Sequence, residues 1–233
     1  MIEEPSRLKI NAKRKRPTAE QIAAFQGVPT GFVVDAMFGA GAMAAAISPI
    51  GFGRDIECVA AGPALTAGNR ASDIMGTLAA LNFLQPGDVL VSAFEAHQGC
   101  AAAGDRVSAM IKNCGGVGFV TDGPMRDYTG IVEVGLPCWC TGLVPSSPFT
   151  SGPATVGLPV QLGGQRVESG DMIVADRDGV VVVPFAQIDA VIGRLDAVRE
   201  AELSLDAQLA GGLTYPEGVA QLIEGEDVAF VDG

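Results

Sequence analysis

Apolar residues in this chain fall into two kinds of run, and the two alternate. Val89 to Ala93 and Val117 to Thr121 are short and almost continuously apolar, the pattern of strands covered on both faces of a parallel sheet. Between them Val107, Met110 and Ile111 recur at three- and four-residue spacing, which predicts a helix from Gly104-Asp105 to about Asn113, stopped by Gly115-Gly116. This strand-helix-strand order implies a right-handed crossover. Gln85-Pro86-Gly87-Asp88 is the tight turn that launches the first strand, with Pro setting one turn dihedral and Gly accepting a positive one.

The remaining elements are read the same way. Thr18-Ala19-Glu20-Gln21 is a capping box on a short helix, and a second helix is expected from Thr30 to Met37. Phe38-Gly39-Ala40-Gly41-Ala42 has the outline of a nucleotide loop. The long helix such a loop requires is cut short by Ser48-Pro49 and Gly51, so a turn between helices is expected instead. Cys58 to Ala67 reads as a strand in which Pro63 marks an edge or bulge, Ser72 to Phe83 as a helix, and Glu95 to Ala103 as a loop. Beyond Trp139 and Cys140 the chain is loop-rich, with strands at Val156 to Gln161, Asp171 to Ala175 and Gly179 to Val183. A long helix from Phe185 to about Ala210 ends at Gly211-Gly212. The expected organisation is a polar arm over 1–17, one α/β domain over 18–211 with terminal helices, and a tail over 212–233.

Composition narrows the function classes. With 233 residues, 48% hydrophobic and 18% charged, the chain can bury a sizeable core. A net charge of −12, from 27 acidic against 15 basic residues, argues against a nucleic-acid partner. The one basic run, Lys13 to Arg16, is expected to be a solvated arm. No stretch of some eighteen apolar residues and no secretory signal is evident, so no membrane partner and a cytoplasmic location are expected. Five cysteines (Cys58, Cys100, Cys114, Cys138 and Cys140) form no C-x-x-C pair and read as reduced, packed thiols, which leaves a zinc site unsupported.

Elimination then shapes the chemistry. His97 is the single histidine, which removes His-rich metal sites; it reads first as an ordinary loop residue, with a ligand contact as the alternative. Lys9, Lys13 and Lys15 lie in the arm and Lys112 near a helix end, so a Schiff-base lysine is not expected. What remains is carboxylate, guanidinium and backbone amide. Asp105 opens the predicted helix, and after twenty intervening residues Arg126-Asp127 follows the second strand, beside Asp122-Gly123-Pro124. Both turns belong at one sheet edge. There Asp127 suits a magnesium or manganese ion that keeps several waters, and the planar fork of Arg126 suits a substrate carboxylate. The amides opening the Asp105 helix add donors for an anion. On the plainer reading Asp105 only caps its helix, Asp127 caps the next with Arg126 as its ion-pair partner, and Asp122-Gly123 only makes the turn.

Gly104-Asp105, the twenty-residue interval, Gly116 to Gly123 and Arg126-Asp127 together resemble the RraA-like family, which includes 4-hydroxy-4-methyl-2-oxoglutarate aldolases. The likeness spans roughly Val28 to Gly211 and takes in Ala61 to Thr66, Gln85 to Asp88 and Ala175 to Val180. The resemblance implies a layered β/β/α, swivelling-domain-like α/β fold, assembled as homotrimers or homohexamers with active sites between subunits. It also implies class II aldolase chemistry on a 2-oxo acid substrate that yields pyruvate, a Mg2+ or Mn2+ cofactor, and oxaloacetate decarboxylation as a side activity. Carried over, Asp127 belongs to the metal site, Arg126 binds substrate, and Gly104, Asp105, Arg106 and Val107 supply substrate contacts largely through backbone. Asp105, Arg126 and Glu202 are the catalytic candidates, with Glu202 standing for a glutamate from the adjacent subunit. Two alternatives remain open: a non-catalytic family member that binds and inhibits an RNA-degrading enzyme, and a methyltransferase, which would rest on Gly39-Ala40-Gly41.

Overall fold

A computed structural model describes residues 6–225 and 228–231. In chain order its elements are β1 (Leu8–Ile10), α1 (Ala19–Ala24), α2 (Thr30–Ala36), β2 (Ser48–Pro49), β3 (Ala60–Gly68), α3 (Met75–Ala80), β4 (Val89–Ala93), α4 (Asp105–Asn113) and β5 (Gly118–Thr121). There follow α5 (Tyr128–Val134), β6 (Cys138–Cys140), β7 (Ala154–Val156), β8 (Val160–Leu162), β9 (Gln165–Val167), β10 (Met172–Ala175), β11 (Val180–Val183), α6 (Ile188–Ala210) and α7 (Glu217–Ile223). The mixed α/β architecture agrees with the expected class. Among the described residues no helix is long and apolar enough to cross a membrane.

One mixed sheet runs in the order β1-β7-β3-β4-β5-β6-β2, and β10 and β11 are joined to it through β3. β3, β4, β5 and β6 are mutually parallel, and β4 and β5 are buried along their whole length, as their continuous apolar runs require. Pro63 is not at an edge. Residues 60–63 of β3 pair antiparallel with β10 and residues 64–68 pair parallel with β4, so the proline sits where the strand changes partner. The Thr18 box is present, with Gln21 N–H on Thr18 Oγ1 and Thr18 N–H on Gln21 Oε1.

The Phe38–Gly41 segment is a turn, as expected, but it does not lead to a helix. It carries Ala42 into a bridge with Val181, and Gly41, at φ +91°, lies so close to Val182 O that a Cβ would stand 2.7 Å from it. The solvated-arm expectation is overturned. β1 pairs with β7, and Arg14 and Arg16 both hold the carboxylate of Asp88, which is fully buried. Arg14 also donates to Ala64 O at 3.1 Å.

Cys58, Cys138 and Cys140 are buried, and burial pushes their thiols up, Cys140 to about 11. At pH 8 the Cys140 thiol is thiolate in only about one molecule in a thousand, and burial shields all three from reagent. A native sample treated with iodoacetamide at pH 8 should therefore leave these three unlabelled, as peptide mass mapping will show, whereas the urea-unfolded chain should label at all five cysteines.

The polypeptide divides at Leu195 into two compact units. The first contains the whole sheet. The second holds the rest of α6 and α7, with Leu203, Leu209 and Leu222 exposed.

Candidate active site

β4 and β5 lie side by side and run the same way, so the segments leaving them, Phe94 onward and Asp122 onward, emerge at one edge of the sheet. Asp122 does more than make its turn. Its buried carboxylate accepts the amides of Phe94 at 2.5 Å and Ala96 at 2.9 Å; desolvation pushes it above the usual carboxylate range, and those amides offset part of that rise. This fastens a loop in which Glu95 and Ala96 both take left-handed backbone, φ 54° and 51°.

Further along, three backbone contacts lace the two segments together: Ala102 N–H on Pro124 O, the Ala103–Met125 bridge, and Arg126 N–H on Ala103 O. They leave Gly104 directly beside Arg126-Asp127. A Cβ at Gly104 would stand 2.5 Å from Asp127 Oδ2 and 3.2 Å from Arg126 Cγ, so only glycine admits both side chains here. Gly104 is also the N-cap of α4, which makes Asp105 the first helical residue and not the cap. Asp105 Oδ1 accepts the Arg106 amide at 2.6 Å, and Oδ2 lies over Gly130, where a Cβ would come within 2.7 Å of it.

Asp127 occupies the N-cap position of α5, yet its side chain makes no capping bond and its backbone is left-handed, φ 60° and ψ 44°. A non-glycine residue held there costs on the order of 1 kcal/mol or more. What the strain achieves is visible in the carboxylate, which turns to Arg126 Nε at 3.2 Å while Arg126 Nη1 donates to Ser147 Oγ at 2.5 Å. Capping is thus not the role of either aspartate, though the ion pair of the plainer reading is present.

Gly104, Asp105, Arg106, Val107, Arg126 and Asp127 line one cavity of about 60 Å³, with Ile74 and Pro148 among its apolar walls. Arg126 and Asp127 also border a wider hollow of about 280 Å³ beside Tyr128 and Leu143. Among the described residues no three His, Cys, Asp or Glu side chains converge as a metal cage. His97 lies outside the small cavity's lining and bonds Ser72 Oγ through Nε2 at 2.8 Å. Glu202 is half-buried on the part of α6 that belongs to the second unit. Sequence reasoning missed Ser147 and Gly130, whose partners lie 21 and 25 residues away, beyond any local pattern.

The fold and site thus define a mixed α/β protein with a small carboxylate-and-guanidinium cavity at the C-terminal edge of its parallel strands. The RraA-like family model, described as Aldolase/RraA, matches residues 30–182, which includes Gly104 to Asp127 and stops before Glu202. A protein of Halalkalibacterium halodurans named "Putative 4-hydroxy-4-methyl-2-oxoglutarate aldolase" is 32% identical over 191 residues, 78% of this chain and 88% of its own. The chain belongs to the RraA-like family. Among solved structures, an uncharacterized protein from Pseudomonas syringae superposes with TM-score 0.73 at 21% identity, over 86% of this chain and 97% of that one, which speaks to the fold alone. A Streptomyces coelicolor protein, described as an unusual member of the RNase ES inhibitor RraA protein family, superposes with TM-score 0.69 at 26% identity, over 84% and 100%.

Proposed function

We propose that this protein is a class II aldolase, a carbon–carbon lyase dependent on Mg2+ or Mn2+, that cleaves 4-hydroxy-2-oxo acids such as 4-hydroxy-4-methyl-2-oxoglutarate to pyruvate and a second oxo acid. The observation that carries this reading is the meeting of Asp105, Arg126 and Asp127 around one cavity, with Asp127 strained into place and free of any capping duty. Names borne by relatives support the same chemistry. The donor set fits the cofactor: one half-exposed carboxylate suits a hard cation that keeps several waters and takes its other ligands from substrate oxygens. When bound, such an ion supplies Lewis acidity at the 2-oxo group.

The chain's own residues do the rest. Arg126 offers its remaining N–H donors to the oxygen on which negative charge develops, having already fixed its plane through Asp127 and Ser147. Asp105, directly or through a water, takes the proton of the C4 hydroxyl. As that proton leaves, C4 becomes a carbonyl, the C3–C4 bond breaks, and its electron pair passes into the pyruvate enolate, which is then protonated at C3. The first-turn amides of α4 other than that of Arg106, which Asp105 holds, are left without a side-chain cap by Gly104 and bind a substrate carboxylate. Oxaloacetate loses CO2 to the same enolate, so decarboxylation is the expected side reaction. Assembly as a cytoplasmic homotrimer or hexamer, with Glu202 entering a neighbour's site, belongs to the same proposal.

The test is pyruvate release from 4-hydroxy-4-methyl-2-oxoglutarate, followed by coupled NADH oxidation. With Mg2+ or Mn2+ turnover is expected, and EDTA should lower it by at least about a hundredfold, a loss that added metal reverses. Absence of turnover with either metal would overturn the proposal. The Streptomyces coelicolor relative favours a second reading, a non-catalytic inhibitor of an RNA-degrading enzyme, which that negative result would leave standing.

A further inference from the structure

The docked N-terminal arm spends only half of its cations on the fold. Arg14 and Arg16 both reach the buried carboxylate of Asp88, while the alternate residues Lys13 and Lys15 are exposed and line a separate cavity of about 620 Å³. Arg14 borders that cavity too, but its guanidinium is already held by Asp88 and Ala64 O. The arm's course is fixed by close packing. Gly157 and Gly170, both at positive φ, pass so near Asn11 O and Lys15 O that neither position admits a Cβ.

The carboxylates beside the cavity are taken. Glu168 accepts Nε and Nη2 of Arg166 at 3.0 and 2.8 Å, and the buried carboxylate of Asp171 accepts the amides of Glu168 and Phe185, each at 2.8 Å. Among the described residues neither Lys13 nor Lys15 forms an ion pair; the Lys15 ammonium stands 5.4 Å from the centre of the Phe185 ring. Two uncompensated ammonium groups therefore face one hollow in a chain whose net charge is −12. Pro159, Pro184 and Phe185 add apolar wall, and the volume falls within the range of about 300–1,000 Å³ that small-molecule sites occupy. No residue of this lining belongs to the cavity of Asp105, Arg126 and Asp127.

We propose that this cavity binds a small phosphorylated molecule, with Lys13 and Lys15 on the phosphate and Pro159, Pro184 and Phe185 against the apolar body that carries it. A phosphate fits better than a carboxylate. Ammonium groups act as point charges and suit a compact dianion approached from two sides, whereas the planar carboxylate is the partner of a guanidinium fork. Asn11 adds a donor, since its Oδ1 accepts the Lys13 amide at 3.2 Å and its side-chain N–H groups remain free for the ligand. The proposal stands independently of the aldolase reading.

Isothermal titration calorimetry of the metal-free protein in EDTA at low salt makes the test, with phenyl phosphate and inorganic phosphate as probes. Phenyl phosphate should bind with Kd below about 1 mM, and at least about threefold tighter than inorganic phosphate because only it uses the apolar wall. The double variant Lys13→Gln, Lys15→Gln should weaken phenyl phosphate by at least about tenfold, the range expected for two charge-assisted contacts. Both lysines are exposed and unpaired, so its melting temperature should match wild type. Lys9→Gln removes an arm lysine outside the lining, and Arg126→Ala removes the cation of the candidate active site; each should leave Kd within about twofold. Absence of measurable binding would overturn the proposal, as would an unchanged Kd in the double variant. A loss with Lys9→Gln as large as that of the double variant would do the same by showing diffuse attraction to the arm. Loss with Arg126→Ala would move the binding to the other cavity, and equal affinity for the two probes would mean that no apolar body is recognised; either result also overturns it.

Discussion

Arg126→Ala is expected to lower kcat/KM for pyruvate release by about 10²- to 10³-fold while shifting the melting temperature by no more than a few degrees. The first number follows from its proposed role: a preoriented donor aimed at developing oxyanion charge contributes that much in enzymes where one has been removed. The second follows from exposure. Arg126 and Asp127 are 34% and 43% exposed, and an ion pair so open to water adds well under 1 kcal/mol to folding once screening is counted. Activity and stability therefore separate, which makes the variant a clean reading of chemistry. Arg126→Lys should restore little, because a lysine cannot keep Asp127 and Ser147 and still present a flat fork. Turnover within about threefold of wild type in the alanine variant would remove Arg126 from the mechanism.

What the sequence made legible is what neighbours along the chain decide. The Thr18 box, the apolar runs of β4 and β5 and the periodic face of α4 each announce themselves within ten residues, and the structure has all of them. The candidate site was legible in the same manner, because parallel adjacent strands bring Gly104-Asp105 and Arg126-Asp127 to one edge whatever lies elsewhere. Long-range partners were not. Pro63 looked like an edge because proline lacks an N–H, yet a strand that exchanges β10 for β4 at that residue tolerates the same deficit in the sheet interior. Asp122 looked like turn chemistry, and the two amides it holds lie 26 and 28 residues upstream. The basic run looked solvated, since nothing near it carries the compensating charge; that charge is Asp88, more than seventy residues on.

Asp88→Ala is accordingly expected to destabilise the fold by about 3–5 kcal/mol, the cost of breaking a buried pair from one side. Asp88 is fully buried, and its carboxylate accepts Arg14, Arg16 and the Gln85 amide. Without it the Arg14 side chain, only 6% exposed, keeps a charge in a site that offers it little besides Ala64 O, and Gln85 N–H loses its acceptor. Arg16, at 30% exposure, can turn to solvent and adds less. For a chain of this size the loss corresponds to a fall in melting temperature of about 10 °C or more, measurable by thermal circular dichroism. The active site should be spared: Asp88 precedes β4 and the site follows it, so five strand residues, roughly 16 Å, lie between. Pyruvate release per folded molecule at 25 °C should then stay within about twofold of wild type. A melt indistinguishable from wild type would mean that the arm does not dock through these arginines, and loss of activity at full stability would mean that the two ends of β4 are coupled.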